Sequence, residues 1–180
     1  MNTHDEKYMT TALRLAQRGV NDVTPNPAVG CVIVKNNRVI GRGWHRRLGG
    51  PHGEINALEN CRKKGHDPAG AIMYVTLEPC CHHGRTGPCT EAIIKAGISK
   101  VVIAVGDPSA HAGGRGIEKL RQAGIEVQLG LCEKQARLLN APFFKFAEQG
   151  KIWVVLKWAQ SIDGRVGWGP AAEQRWITGE

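Results

Sequence analysis

No run of 18 or more apolar residues occurs in this 180-residue chain, so no membrane-spanning helix is expected. The opening residues, Met1 to Tyr8, lack an apolar core and carry Asp5 and Glu6. That pattern argues against a secretory signal and gives a cytoplasmic expectation. Aromatic residues are scarce, at 6%, and do not interleave with basic ones, so a stacking platform for single-stranded nucleic acid is missing. No internal repeat or low-complexity tract is present. Acidic side chains are the minority, 16 against 24 basic, for a net charge of +8. A basic balance favours an anionic ligand, either a phosphorylated small molecule or nucleic acid, although a solvated basic surface accounts for it equally well.

What is present is ordinary globular material. Hydrophobic residues make up 42% and charged residues 22% of the chain, which is long enough to bury a core without staples. Apolar periodicity predicts a helix over 5–19, a buried strand over 28–34, and a turn at Asn36–Asn37 leading into a second strand over 38–43. Gly49–Gly50–Pro51 interrupts the chain before a helix over 52–64. Further strands are expected at 71–77, 100–105 and 125–129, and helices at 90–96, 116–123 and 133–148. Alternating strands and helices imply an α/β layer fold. A new strand is expected at 152–157, which places a boundary near Gln149 and divides the chain into 1–149 and 150–180. The second part is too short for a typical domain of ~50–250 residues.

Six cysteines are present, Cys31, Cys61, Cys80, Cys81, Cys89 and Cys132. In a cytoplasmic chain they read as metal ligands or buried thiols rather than disulfides. His52-Gly53-Glu54 lies at the start of a predicted helix, and Pro79-Cys80 and Cys89 lie in the loop after a predicted strand. One imidazole and two thiolates form a three-ligand set for Zn2+ that leaves the fourth tetrahedral position for water. Glu54, two residues from His52, is placed to move protons between that water and a leaving amine. His-x-Glu followed by Pro-Cys is the order found in zinc deaminases. The usual second cysteine follows the first by three residues, whereas here Cys80 and Cys89 are nine apart. The geometry closes if the loop folds back and Cys89 opens the next helix, where the helix N-terminus favours a thiolate. Cys81 competes as a ligand, but adjacent residues rarely reach one metal, so it is read as structural.

These stretches carry a family resemblance. Thr24-Pro25-Asn26-Pro27-Ala28-Val29-Gly30-Cys31, Gly43-Trp44-His45, Pro51-His52-Gly53-Glu54, Thr76-Leu77-Glu78-Pro79-Cys80, His82-His83-Gly84-Arg85-Thr86-Gly87-Pro88-Cys89 and Val105-Gly106-Asp107-Pro108 resemble the deaminase half of the bifunctional deaminase/reductases of riboflavin biosynthesis. Lys157 to Arg165 is similar to the opening of that family's reductase half. The resemblance implies a three-layer α/β/α cytidine-deaminase-like domain with a mixed sheet, followed by the incomplete start of a dihydrofolate-reductase-like domain. It implies hydrolytic deamination of 2,5-diamino-6-ribosylamino-4(3H)-pyrimidinone 5′-phosphate with one zinc per chain. No NADP binding or reductase activity is expected of this span. The expected partner is a small pyrimidine ribose phosphate rather than nucleic acid or membrane, and a homodimer is expected.

Residue roles follow from the same resemblance. Asn26 contacts the ring, His45 lines the substrate site, His82 and Arg85 meet the substrate and its phosphate, and Asp107 meets ribose or ring groups. Taken singly, Asn26 reads as a turn asparagine and His45 as a surface histidine at a hairpin end. His82 reads as a solvated loop residue, Arg85 as half of a surface ion pair, and Asp107 as a cap or turn aspartate. Four positions depart from the family: Gly53 stands for a usual alanine, Gly87 for a usual proline, and Ser109-Ala110 for Asn-Pro. Two other functions compete, a tRNA or other nucleic-acid deaminase and an inactive zinc-stabilised remnant.

Overall fold

A computed structural model describes residues 3–82, 87–109 and 113–165. Its centre is a five-stranded mixed sheet. Strand β1 (Gly30–Lys35) and strand β2 (Arg38–Trp44) form the expected hairpin. Asn36 and Asn37 both take positive φ, 50° and 57°, the backbone a two-residue hairpin turn demands and one that asparagine tolerates. The free edge of β1 pairs antiparallel with β3 (Ile72–Val75). Parallel strands β4 (Lys100–Ile103) and β5 (Glu126–Leu129) follow, giving the order β2-β1-β3-β4-β5. The central strands are covered on both sides, which is why Cys31–Val34, Met73–Val75 and Val101–Ile103 read as continuous apolar runs.

The flanking helices take opposite faces. A Cβ added to Gly30 would lie 2.0 Å from the Ala12 carbonyl of helix α1 (Thr3–Gln17). A Cβ added to Gly43 would lie 2.2 Å from the Ala57 amide of helix α2 (Gly53–Lys63). Gly30 pairs with Trp44, so Gly43 is one residue out of step and points to the other face. Glycine thus lets both helices settle directly on the hairpin. Helix α3 (Cys89–Lys95) packs between α2 and α4 (Arg115–Gln122), and α5 (Glu133–Leu139) packs against α1. The result is the α/β/α layering expected from the sequence.

Two expectations need correction. The single helix over 133–148 is two helices, α5 and α6 (Ala141–Gln149). Pro142 sits in the first turn of α6, where its missing N–H costs nothing; inside one continuous helix it would have broken a hydrogen bond and clashed with the preceding turn. The strand over 152–157 is absent: residues 151–160 have no regular structure. Ile152, Val154, Val155 and Leu156 are about three-quarters exposed. A strand exists through its ladder partners, and among the described residues this segment has none.

Candidate active site

His52 stands immediately before α2 in extended conformation (φ −69°, ψ 168°). Cys89 is the first residue of α3 and is fully buried. Cys80 lies between them, in the loop that leaves β3. The His52 Nδ1 is 3.5 Å from Cys80 Sγ and 3.3 Å from Cys89 Sγ. All three donor atoms lie within 4.8 Å of one another, and the Cys89 backbone N–H donates to Cys80 Sγ at 3.3 Å. Zinc distances of ~2.3 Å to sulfur and ~2.0–2.1 Å to nitrogen put neighbouring corners of a tetrahedron about 3.6 Å apart. The three donors therefore already stand at roughly the spacing such an ion requires, and a nitrogen and two sulfurs suit its borderline-soft character.

The electrostatics favour one thiolate even without a cation. The Cys80 thiol is pushed well below its usual range, first by the hydrogen bond with Cys89 and then, against the opposing effect of burial, by that with His52. The Cys89 thiol moves up, because Cys80 takes the shared charge and because burial disfavours a second one. The Cys80 hydrogen bond holds His52 above the usual imidazole range, opposed by burial.

Glu54 lies in the first turn of α2, 2% exposed, and its Oε2 has no hydrogen-bond partner. Burial pushes its carboxyl up to about 7, with His52 pulling the other way. An unpaired buried polar atom costs ~1–3 kcal/mol, and here it faces the cavity shared with His52 and Cys80. His45 is also buried, with its ring 5.1 Å from that of His52 and its Nε2 unpartnered. Desolvation, and then the neighbouring His52, lower the His45 pKa. Gly53, the departure from alanine, has a packing reason here: a Cβ would lie 2.8 Å from the Val29 carbonyl.

A cavity of about 510 Å3 opens above these groups. Asn26, His45, His82 and Asp107 line it together with His52, Glu54 and Cys80. Cys89 lies beneath. Arg85 falls outside the described residues. Cys81 is not part of the donor cluster.

The sequence reading assigned no function to Glu78 or Phe143, which also line the cavity. Glu78 is 5% exposed and accepts four backbone N–H groups. Its Oε2 takes those of Asp107 and Gly114, both at 3.1 Å, and its Oε1 those of Gly116 at 2.9 Å and Ile117 at 3.2 Å. One carboxylate thus caps α4 and holds the Asp107 wall beside Cys80. All four donors lie 29 to 39 residues downstream, so no local spacing could have revealed them. Gly116 permits this approach, since a Cβ there would lie 2.1 Å from the Pro79 carbonyl. Gly116→Ala is expected to cost about 1–3 kcal/mol, seen as a Tm several degrees lower in thermal unfolding. Gly87→Ala, where an added Cβ meets nothing within 4 Å, serves as the neutral control. A wild-type Tm for Gly116→Ala would show that α4 does not need this close seat.

Residues 2–105 match the family described as the cytidine and deoxycytidylate deaminase zinc-binding region. The chain is 47% identical over 174 residues to the riboflavin biosynthesis protein RibD of Aquifex aeolicus, covering 97% of this chain and 48% of that protein. It is 48% identical over 174 residues to the RibD of Escherichia coli, covering 97% and 46%. A solved structure of Acinetobacter baumannii RibD superposes with a TM-score of 0.87 at 46% identity, over 98% of this chain and 48% of that one. The chain therefore spans about half the length of the curated relatives it matches. Among the described residues no helix is long and apolar enough to cross a membrane.

Proposed function

This chain belongs to the cytidine and deoxycytidylate deaminase zinc-binding family, and from that premise we propose that it deaminates 2,5-diamino-6-ribosylamino-4(3H)-pyrimidinone 5′-phosphate, a step of riboflavin biosynthesis. The observation that carries this reading is the His52, Cys80 and Cys89 donor set, 3.3–3.5 Å from nitrogen to sulfur, opening beside a buried Glu54 with an unpartnered Oε2 into a cavity of substrate size. The likeness to riboflavin biosynthesis proteins supports the choice of substrate.

His52, Cys80 and Cys89 hold one zinc ion per chain. Zinc bound there supplies Lewis acidity that brings the pKa of a water molecule toward ~7. Glu54 accepts the proton of the water that adds to the amine-bearing ring carbon, then returns it to the departing nitrogen. The C–O bond forms, the C–N bond breaks, and ammonia leaves. A carboxyl held near neutrality suits both halves of this transfer, because it neither holds nor releases the proton too strongly. Asn26 orients the ring by its carboxamide, and His45 closes the side wall next to His52. His82 and Arg85 meet the phosphate end, where a guanidinium matches phosphate oxygens in geometry. Asp107 meets ribose or ring groups. The deaminating unit is 1–149, with 150–180 opening a second, reductase-like unit for which no nicotinamide turnover is proposed in this span.

Zinc-loaded protein is expected to release ammonia from the aminopyrimidine ribose phosphate and not from tRNA. Parallel assays on the two substrates test this, and ammonia from RNA alone would overturn the substrate assignment.

A further inference from the structure

Asn26 sits on a stretch of chain with few means of staying in place. Its neighbours Pro25 and Pro27 have no N–H to donate. The Asn26 N–H donates to the Val23 carbonyl at 2.8 Å. The next backbone anchors are at the Pro27 carbonyl, which the buried His45 ring engages, at the Val29 carbonyl, which accepts from the His45 N–H at 2.8 Å, and at the Gly30 N–H, which donates to Thr76 Oγ1 at 3.0 Å. Between them lies Ala28, buried at 2% exposure just before β1 begins. Both of its backbone groups are taken by a single side chain 112 residues away. The Ala28 N–H donates to Asn140 Oδ1 at 2.8 Å, and Asn140 Nδ2 donates to the Ala28 carbonyl at 2.9 Å.

We propose that Asn140 is a positioning residue of the deaminase pocket, acting through Ala28 to hold Asn26 against the substrate. Its carboxamide completes Ala28 as a neighbouring strand would, with one donor and one acceptor side by side. Asn140 is itself buried and sits at the break between α5 and α6, while Phe143, one turn further on, lines the cavity. The junction forced by Pro142 thus faces the pocket, outside the 2–105 span of the family match. A leucine at 140 would fill similar space yet leave two buried backbone groups unpaired, a far larger loss than one exposed hydrogen bond. Uniform loss of substrate binding appears in KM rather than kcat. This inference rests on the proposed role of Asn26.

The test uses the full zinc-loaded chain with two readouts, backbone amide exchange at Ala28 and the kinetics of ammonia release from the aminopyrimidine ribose phosphate. In Asn140→Ala the Ala28 amide is expected to exchange at least roughly tenfold faster, with β3 and β4 amides and zinc content unchanged. KM rises about tenfold and kcat stays within about threefold. In an Asn26→Ala background the same change raises KM by no more than about twofold, because the side chain being positioned is gone. Where Asn140→Ala fails to fold, Asn140→Asp, which keeps the acceptor for Ala28 and loses the donor, is expected to give the same background-dependent rise in KM. Wild-type protection at the Ala28 amide in Asn140→Ala, or an equal rise in KM in both backgrounds for either variant, would overturn the proposal. If the wild-type chain releases no ammonia from this substrate, the assignment of function fails, and exchange at Ala28 alone decides whether Asn140 pins the loop.

Discussion

Glu54→Gln is expected to lower ammonia release by about a thousandfold, within the ~10²–10⁴ span of a general acid–base group, while leaving zinc content and fold intact. Glutamine preserves the shape of the side chain and removes its ability to carry a proton between water and amine. The structure also predicts what happens to stability. The carboxyl is buried with an unpartnered oxygen, and burial holds its pKa near neutrality, so the native state gains little from it as an anion. A neutral amide in the same place should leave Tm equal to wild type or slightly higher, the trade expected where a site is tuned for chemistry rather than stability. Steady-state ammonia release, metal analysis and thermal unfolding on one preparation test all three. Activity within tenfold of wild type would remove Glu54 from the proton path.

Cys89→Ala is expected to be as damaging for a different reason. Cys89 is buried beneath the cavity, 3.3 Å from the His52 ring nitrogen, and donates its amide to Cys80. Its loss leaves two donors, too few for a closed three-ligand site. Zinc content should fall to roughly a tenth of an equivalent or less, with ammonia release lost to a similar degree as in Glu54→Gln. Stability should fall as well, since a ligand present at ~1,000 times its Kd contributes about 4 kcal/mol to the folded state. Chelation of the wild-type protein should reproduce that drop in Tm. Cys81→Ala is the matched control: it lies next to Cys80 in the chain but outside the donor cluster, and it should keep its zinc. A full equivalent of zinc in Cys89→Ala, or its loss in Cys81→Ala, would redraw the ligand set.

The donor set is legible in the sequence because its chemistry is written in residue types. Imidazole, carboxylate and thiol side chains are few, and each of these stood at a junction where periodicity changed from strand to helix. Cys81 is set aside because adjacent residues rarely reach one metal, and the structure leaves it outside the cluster. The sheet was legible for a related reason. Buried central strands must be apolar on both faces, so Cys31–Val34, Met73–Val75 and Val101–Ile103 showed themselves as runs. The helix over 133–148 was misread because its apolar pattern continues across Asn140 and Pro142. Side-chain periodicity does not register one lost backbone donor. The 152–157 segment was misread because β propensity describes a surface that fits a sheet and supplies no neighbour for it.

By itself, then, the amino-acid sequence determined which side chains can do chemistry here, the kind of ion they suit, and the alternation of strand and helix that carries them. Those properties are local, set by side-chain type and by the periods of 2 and 3.6. The tertiary structure decided how the pocket is held together: Glu78 gathering four amides from 29 to 39 residues away, Asn140 closing on Ala28 across 112, and glycines admitting helices onto the hairpin. Such contacts depend on distances between segments that only folding brings near, and no spacing along the chain encodes them.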